Sequence, residues 1–336
     1  MTAEEKAAFV VGVKFELPPY KGKYLRGTGG VTYPLERFGV PSIVMMDGPV
    51  GLRLYDYETT CFPSGMLTAA SWDRDVAYAI GCALGEESLD MGNDVLLAPG
   101  MNIHRNPLNG RNFEYFSEDP VLSGLLAAAY INGVQSKGVG TSAKHFAANN
   151  QETNRLDNDS RLDTRALREI YTKAFELCLR ESEPWTVMAS YNYLNGTYTQ
   201  ESRDLLRKIL RKDFGFKGLV VTDWTGKRNT PKQLNAGSDL AGAGGKMPIQ
   251  QWQRPHAEAG PGKTRQALPR KCGRGNGAAE ERRSLPRQTR QGSPLRCLFL
   301  CHDTGRQRCR MGKFPLCSQP RRRPRECRYK SRSQTA

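Results

Sequence analysis

Residues 241–336 of this 336-residue chain contain no valine, one isoleucine and one tyrosine. A stretch of this length without valine offers little material for β-strands or for an ordinary apolar core. The same stretch has 23 lysines and arginines against 5 aspartates and glutamates, whereas residues 1–240 have 27 against 29. The net charge of +16 therefore belongs to the C-terminal stretch. The composition predicts a folded body over residues 1–240 and a disordered basic tail over residues 241–336.

The chain also lacks the signals of export and of membrane insertion. No run of about 18 apolar residues is present, so we expect no membrane-spanning helix. The N-terminus, MTAEEKAAFVVGVKF, is acidic and amphipathic, without the basic start and long apolar segment of a signal peptide. The body's cysteines, Cys61, Cys82 and Cys178, are widely separated, which suits reduced thiols. The sequence therefore predicts a cytoplasmic protein with no membrane partner.

Short apolar runs alternate with helix-period segments through the body. The strand-like runs lie at 42–47, 94–102, 140–148, 186–191 and 218–226, and the helical segments at 74–92, 120–138, 163–181 and 202–215. This alternation predicts a parallel sheet whose strands are joined by helices. The length of the body suits one α/β barrel of about 250 residues. We expect a (β/α)8-type barrel with about seven well-formed strands and an eighth that can be incomplete.

Polar side chains stand at the C-terminal ends of four predicted strands. Asp47 ends the first, Lys144 and His145 fall near the end of another, and Tyr191 and Asp223 end two more. In α/β barrels the C-terminal strand ends converge on one mouth, where active sites are built. A solvated aspartate that starts a turn is the simpler interpretation of Asp223 alone. Four strands that end in the same way favour a functional site.

Five segments together carry a resemblance to a known family. They are MMDGPVGLR (45–53), GRNFEYFSEDP (110–120), AKHFAANNQETNR (143–155), VMASYNYLNG (187–196) and GLVVTDW (218–224). In order and spacing they resemble glycoside hydrolase family 3, and within it the β-glucosidase-like branch, over roughly residues 1–240. The resemblance implies a (β/α)8-type barrel and hydrolysis of small β-linked glucosides or xylosides with retention of configuration. It implies neither a cofactor nor a metal.

The resemblance also implies a catalytic role for Asp223, which matches the family's nucleophile. A retaining glycosidase uses one carboxylate to attack the anomeric carbon and a second carboxyl, about 5–5.5 Å away, as acid and base. Lys144, Arg111 and Arg155 match the family's basic sugar-binding positions. Their charges would help to keep the nucleophile ionised.

The remaining implied site residues contact the sugar. Asp47 matches the residue that accepts hydrogen bonds from two sugar hydroxyls, and His145 is expected to donate to another. Tyr191 is expected to orient Asp223. Trp224 would offer an apolar ring face to the C–H side of the sugar.

Each of these residues also has a plain structural interpretation. Asp47 precedes a Gly-Pro pair and can be a turn residue. Arg111 can pair with Glu114 or Glu118 in a surface loop. Adjacent strand residues point to opposite faces, so Lys144 and His145 can serve one pocket only if the strand ends or bulges there.

Two departures from the family concern the general acid that protonates the leaving group. One branch of the family takes its acid from a histidine in the loop after the Lys-His pair, and the segment 143–155 has no second histidine. The β-glucosidase-like branch takes an acid/base glutamate from a following sandwich domain, and nothing in this chain resembles that domain. The sequence predicts a truncated and impaired hydrolase.

The tail after residue 240 leaves three interpretations. We favour translation out of frame, because arginine, proline, glycine and cysteine rise together while valine and isoleucine almost vanish. The alternative is a basic nucleic-acid tail, with RRRPRECRYK (321–330) as its patch, although no aromatic residues interleave for stacking. Zinc is disfavoured because the tail's cysteines lack a paired C-x2-C spacing. We therefore expect a small glycoside as the partner and no nucleic acid. A non-catalytic sugar-binding barrel is the other alternative.

Overall fold

The structure of the protein is a computed structural model that describes residues 1–14, 22–224 and 229–242. The predicted disordered tail, its out-of-frame origin and its nucleic-acid alternative concern residues that lie outside these ranges, apart from 241 and 242. Within the described ranges, no helix combines the length and the apolar character needed to cross a bilayer.

The secondary structure follows the predicted alternation of strands and helices. The strands are β1 Gly12–Val13, β2 Thr28–Thr32, β3 Val44–Asp47, β4 Val95–Leu97, β5 Gly140–Phe146, β6 Asp159–Ser160, β7 Thr186–Ala189, β8 Tyr193–Leu194, β9 Thr197–Tyr198 and β10 Leu219–Val221. The α-helices are α1 Ala3–Phe9, α2 Gly65–Ala70, α3 Arg74–Asp90, α4 Pro120–Ser136, α5 Thr164–Ala166, α6 Lys173–Glu181 and α7 Thr230–Ala236. Single 3-10 turns lie at Glu36–Phe38, Asn112–Glu114 and Thr199–Glu201, and π-helical segments at Leu167–Tyr171 and Asp204–Asp213.

Side chains that satisfy free backbone groups define the helix starts. Asp73 accepts a hydrogen bond from the backbone of Asp75 at the start of α3, and Asp119 does the same for Val121 at the start of α4. Pro120 occupies the first position of α4, where a missing N–H costs nothing. The helix predicted over 163–181 is interrupted at Thr172, whose N–H and hydroxyl both donate to the Leu167 carbonyl five residues back. This wide turn separates α5 from α6.

Seven strands form one sheet in the order β1-β2-β3-β4-β5-β7-β10. From β3 to β10 every neighbouring pair is parallel, as the alternation predicts. The pairs β1–β2 and β2–β3 are antiparallel and lie outside the strands that the alternation predicts. The connection from β2 to β3 is short and contains the single 3-10 turn Glu36–Phe38, which is enough to join antiparallel neighbours. The strands β6, β8 and β9 form a separate small sheet.

The two edges of the large sheet are joined through residues 240 and 241. Leu240 bridges Val221 of β10, and Ala241 bridges Val11 beside β1. The N–H of Gly12 donates to the Ala241 carbonyl over 2.7 Å. The predicted (β/α)8-type barrel is therefore confirmed, with seven strands in the sheet and its last strand reduced to two bridging residues.

Alternate residues of the barrel strands enter different apolar clusters. Met45 belongs to a cluster that also draws on β4, β7, β10 and Leu240 and includes no helix residue, so it fills the barrel interior. Its neighbour Met46 belongs to a cluster that includes Leu84 of α3 and Val134 of α4. This period of two results from the opposite directions of successive strand side chains. The barrel wall is buried on both faces, as its continuous apolar runs indicate.

Candidate active site

The polar strand-end residues meet at one end of the barrel, as their positions predict. Asp47 is the last residue of β3, and Tyr191 and Asp223 each lie two residues beyond the end of a parallel strand. Lys144 Nζ lies 2.6 Å from Asp47 Oδ1, and His145 Nε2 lies 3.7 Å from Asp223 Oδ2. These contacts join residues that are 97 and 78 positions apart in the sequence. The turn-residue interpretation of Asp47 is therefore insufficient.

A bulge in β5 brings both Lys144 and His145 to the pocket. Lys144 pairs with Met188 and Phe146 with Ala189, so His145 is the extra residue of this strand. Asn102 holds the backbone there: the His145 N–H donates to Asn102 Oδ1, and Asn102 Nδ2 donates to the His145 carbonyl, both over 2.9 Å. The bulge is the irregularity that Lys144 and His145 need if both are to reach the same pocket.

Lys144 is the centre of an ion-pair network. Its side chain is 3% exposed and contacts Asp47, with Glu114 Oε2 at 3.8 Å. Arg111 forms an ion pair with Glu114, which is the local pairing that its plain structural interpretation predicts. Burial alone would raise the pKa of Asp47, but the ammonium of Lys144 and the guanidiniums of Arg111 and Arg53 hold it below its ordinary value. Arg111 therefore serves both its loop and the pocket.

Asp223 is buried at the centre of this group. Its Oδ1 accepts a hydrogen bond from the Trp224 N–H over 2.7 Å, while Oδ2 has no hydrogen-bond partner among the described residues. Burial raises the pKa of the carboxyl from 3.8 to about 6, against the opposing charges of Arg111 and Lys144. Arg111 and Lys144 favour the ionised form, as expected, but burial has the larger effect on this pKa. Asp223 is ionised only above about pH 6.

His145 is buried and faces cations on several sides. Burial, followed by the charges of Arg111, Lys144 and Arg155, places its pKa well below the ordinary value. The imidazole is therefore neutral near pH 7, and its contact with Asp223 is not an ion pair. Its Nδ1 lies 3.0 Å from the hydroxyl of Tyr115, which is fully buried.

Tyr191, Arg155 and Trp224 complete the predicted set. The Tyr191 hydroxyl donates to the carbonyl of Trp224 and lies near enough to Asp223 to lower the pKa of that carboxyl. The guanidinium of Arg155 lies 4.6 Å above the Tyr191 ring and 2.8 Å from Glu152. The Trp224 indole N–H donates to the Gly29 carbonyl of β2, which fixes the ring against the barrel.

Sequence reasoning missed the residues that support this set. Tyr115 contacts the imidazole of His145, and Asn149 contacts the Tyr115 hydroxyl. Asn102 forms hydrogen bonds with the backbone of His145. Glu114 was considered only as a loop partner of Arg111, yet it is 4% exposed. The polar character of these residues gave no signal, because polar residues are ordinary in surface loops. No cluster of His, Cys, Asp or Glu within the described ranges has the arrangement of a metal site.

Comparison with known proteins matches the barrel to one family. The model of the glycosyl hydrolase family 3 N-terminal domain matches residues 26–241. The thermostable β-glucosidase B of Acetivibrio thermocellus is 47% identical over 251 residues, which are 71% of this chain and 31% of that protein. An exo-α-(1→6)-L-arabinopyranosidase of Bifidobacterium longum is 43% identical over 252 residues, with the same two coverages.

A solved structure has the same barrel. β-Glucosidase 3B of Thermotoga neapolitana, in complex with α-D-glucose, superposes with a TM-score of 0.71 and 45% identity. The match covers 75% of this chain and 38% of that one. The chain therefore spans about a third of the length of the relatives that it matches.

Proposed function

The chain belongs to glycosyl hydrolase family 3, and we propose that its barrel holds the sugar-binding and nucleophilic part of a retaining β-glucosidase-type site. The observation that carries this proposal is the arrangement around Asp223. A buried carboxyl at the mouth of the barrel keeps one oxygen without a hydrogen-bond partner among the described residues, within 3.7 Å of His145. An oxygen of this kind is available to attack an anomeric carbon.

The proposed first step is the attack of Asp223 Oδ2 on the anomeric carbon of a bound glycoside. A bond forms between that oxygen and the carbon, and the bond to the leaving oxygen breaks, so the sugar becomes covalently attached to Asp223. Release of the sugar with retained configuration needs a base that activates water, and without that base the adduct persists. Above about pH 6 the carboxyl is ionised and can attack, and below this value the proton blocks the attack.

The surrounding residues supply the sugar contacts of the proposal. Asp47 is 35% exposed despite its ion pair, so its carboxylate can also accept from sugar hydroxyls. Lys144 and Arg111 balance the negative charge of the pocket, as their effect on the pKa of Asp223 indicates. Neutral His145 can donate to a hydroxyl. The roles of Arg155, Tyr191 and Trp224 rest on the family motifs and on their contacts with one another.

The described carboxyls near the pocket are poorly suited to act as the general acid. Glu114 lies between Arg111 and Lys144, and Glu152 contacts Arg155. Both carboxylates already form ion pairs with guanidiniums of neighbouring arginines. Since general acid help is worth about 10²–10⁴-fold, we propose that the described residues alone hydrolyse only glycosides whose leaving group departs unaided.

The test compares an activated with an unactivated substrate. The 336-residue chain is mixed with 2,4-dinitrophenyl β-glucoside, and phenol release is followed on the time scale of one turnover. We expect a burst and then a stall at the glycosyl-Asp223 adduct, relieved by added azide, and essentially no hydrolysis of cellobiose. Asp223→Asn should abolish the burst, whereas Asp90→Asn, at an exposed site at the end of α3, should keep it.

Two results would contradict the proposal in different ways. Efficient hydrolysis of cellobiose would show that a carboxyl of this chain, such as Glu118 or Glu152, serves as the acid. A burst that survives in Asp223→Asn would remove the nucleophile assignment. A parallel assay with the aryl α-L-arabinopyranoside asks which sugar the pocket prefers, because relatives named for each activity are similarly identical to this chain.

Sugar binding without turnover is the second candidate function. It is favoured by the ion pairs of Glu114 and Glu152, which leave neither carboxyl free to act as the general acid. Glucose would then raise the melting temperature of the chain, while the activated glucoside would give no burst. The same increase with a burst supports the hydrolase, and no increase with any of the sugars contradicts both candidates.

We also propose that the folded body ends at residues 240–241. Leu240 and Ala241 form the last bridges of the barrel, and the family match stops at residue 241. The change in composition at the same point supports an out-of-frame origin for the tail, residues 241–336. The nucleotide sequence tests this origin. A one-base shift near codon 241 that restores a family-like sequence would support it, and early stops in every other frame would contradict it.

A further inference from the structure

Four side chains form a continuous hydrogen-bonded line whose last member, His145, lies beside Asp223. Asn149 Nδ2 lies 3.2 Å from Glu152 Oε1 and 3.2 Å from the Tyr115 hydroxyl. The Tyr115 hydroxyl lies 3.0 Å from His145 Nδ1. His145 Nε2 lies 3.7 Å from Asp223 Oδ2. The line therefore runs from one carboxyl, through an amide and a phenol, to an imidazole beside a second carboxyl.

The carboxylate at the outer end determines the direction of these hydrogen bonds. Glu152 contacts the guanidinium of Arg155 at 2.8 Å, so it is an acceptor only. The Asn149 atom that faces it must therefore be the amide nitrogen, since an amide oxygen there would meet the carboxylate without a proton between them. The same nitrogen faces Tyr115, so the two amide protons serve Glu152 and the phenol.

The remaining question is which atom accepts the single proton of the Tyr115 hydroxyl. Its oxygen accepts from Asn149, and the hydroxyl also contacts His145 Nδ1. A phenol has one proton, so Tyr115 donates it to Nδ1. A neutral imidazole that accepts at Nδ1 carries its proton at Nε2, which is the nitrogen that faces Asp223.

We propose that Tyr115, oriented by Asn149 and Glu152, holds His145 in the neutral tautomer whose proton is at Nε2. These three are positioning residues, because they act on the pocket through His145. The position of Tyr115 is well defined: its side chain is fully buried, and a Cβ at Gly100 would lie 2.8 Å from its ring.

The proposed tautomer places an N–H donor beside the nucleophile. When the pocket is empty, this donor faces Asp223 Oδ2; when a sugar is bound, it can donate to a sugar hydroxyl instead. The other tautomer would turn a lone pair toward the carboxylate and toward the sugar, and both contacts would be lost. This use of the donor rests on the proposed function, whereas the tautomer itself is a property of the free protein.

The test reads the tautomer directly in the unliganded chain. Histidine labelled with ¹⁵N in the full chain gives long-range ¹H–¹⁵N correlations whose pattern distinguishes the two neutral tautomers. The chain has four histidines, and His145 is assigned by its loss in His145→Gln. We expect the Nε2–H pattern for His145. An Nδ1–H pattern in the unmodified chain would overturn the proposal whatever the variants do.

Variants then test the cause of the tautomer. Tyr115→Phe removes the donor to Nδ1 and should give a mixture or the Nδ1–H form. Tyr130→Phe is the matched control, because Tyr130 is also buried but donates to the Pro49 carbonyl, and it should leave the pattern unchanged. An unchanged pattern in Tyr115→Phe would show that Tyr115 does not set the tautomer.

The direction of the line predicts a reversal in Asn149→Asp. Combined with Glu152→Gln, whose amide can donate to it, the introduced carboxylate accepts the phenol proton, so the Tyr115 oxygen becomes an acceptor for His145 Nδ1, and the Nδ1–H pattern should dominate. Retention of the Nε2–H pattern in this double variant would contradict the deduced direction. Failure of the glucoside burst with the Nε2–H pattern intact would count against the proposed function and not against this inference.

Discussion

The raised pKa of Asp223 predicts that the nucleophile destabilises the fold at neutral pH. Burial raises this pKa from 3.8 to about 6, with the favourable charges of Arg111 and Lys144 already included. At 1.36 kcal/mol for each pKa unit, the ionised carboxylate costs about 3 kcal/mol of stability above pH 6. Asp223→Asn removes this cost, so the variant should be more stable than the unmodified chain by about this amount at pH 7.

The pH dependence of this difference has a defined sign. Between about pH 4 and 6 the folded state holds a proton on Asp223 that the unfolded state has lost, so the free energy of unfolding falls as the pH rises through this window. Below it the carboxyl is neutral in both states, and the difference from the variant should vanish. Above it the difference should be constant.

The assay is urea unfolding of both proteins from pH 4 to pH 8, monitored by tryptophan fluorescence and circular dichroism. Asp90→Asn, at the opposite end of the barrel from the pocket, is the control and should change the stability little at any pH. An Asp223→Asn variant that is less stable at pH 7, or whose difference from the unmodified chain does not change between pH 4 and 6, would refute the reasoning.

Two further substitutions test the pocket and the packing around it. Asp47→Asn should destabilise the fold by less than the ~3–5 kcal/mol of a fully buried broken pair, because Asp47 is 35% exposed and Glu114 stays within 3.8 Å of Lys144; urea unfolding measures this loss. Gly133→Ala should cost ~1–3 kcal/mol, because a Cβ there would lie 2.2 Å from the Tyr78 carbonyl oxygen on the facing helix, and an unchanged melting temperature would contradict this close packing.

The parallel part of the barrel could be predicted from the sequence because its strands are short apolar runs between helical segments. The strand β10 is an example: Val220 and Val221 are buried, and Asp223 lies just beyond them at the mouth. Strand β1 could not be found in this way, because it has only two residues and one of its backbone partners, Ala241, lies far along the chain. Residues 240–241 form single bridges, which leave no pattern of their own.

The site was predictable where a side chain directly follows a strand and much less so where it lies in a loop. Lys144 and Asp47 meet because parallel strands place their ends together. Tyr115 and Asn149 lie in the loops after β4 and β5, and their contact with His145 depends on how those loops fold. The charge state of Asp223 also depended on three-dimensional burial, which motifs do not report.

The most direct test of the central claim is to locate the covalent sugar on the chain. A 2-deoxy-2-fluoroglucoside with an activated leaving group reacts with a glycosidase nucleophile and leaves a slowly hydrolysed adduct. After reaction, trypsin digestion and mass spectrometry should find the added sugar on the peptide 218–227, at Asp223, with none in the Asp223→Asn variant. An adduct on Asp47, Glu114 or Glu152, or an unlabelled chain that still binds glucose, would contradict Asp223 as the nucleophile.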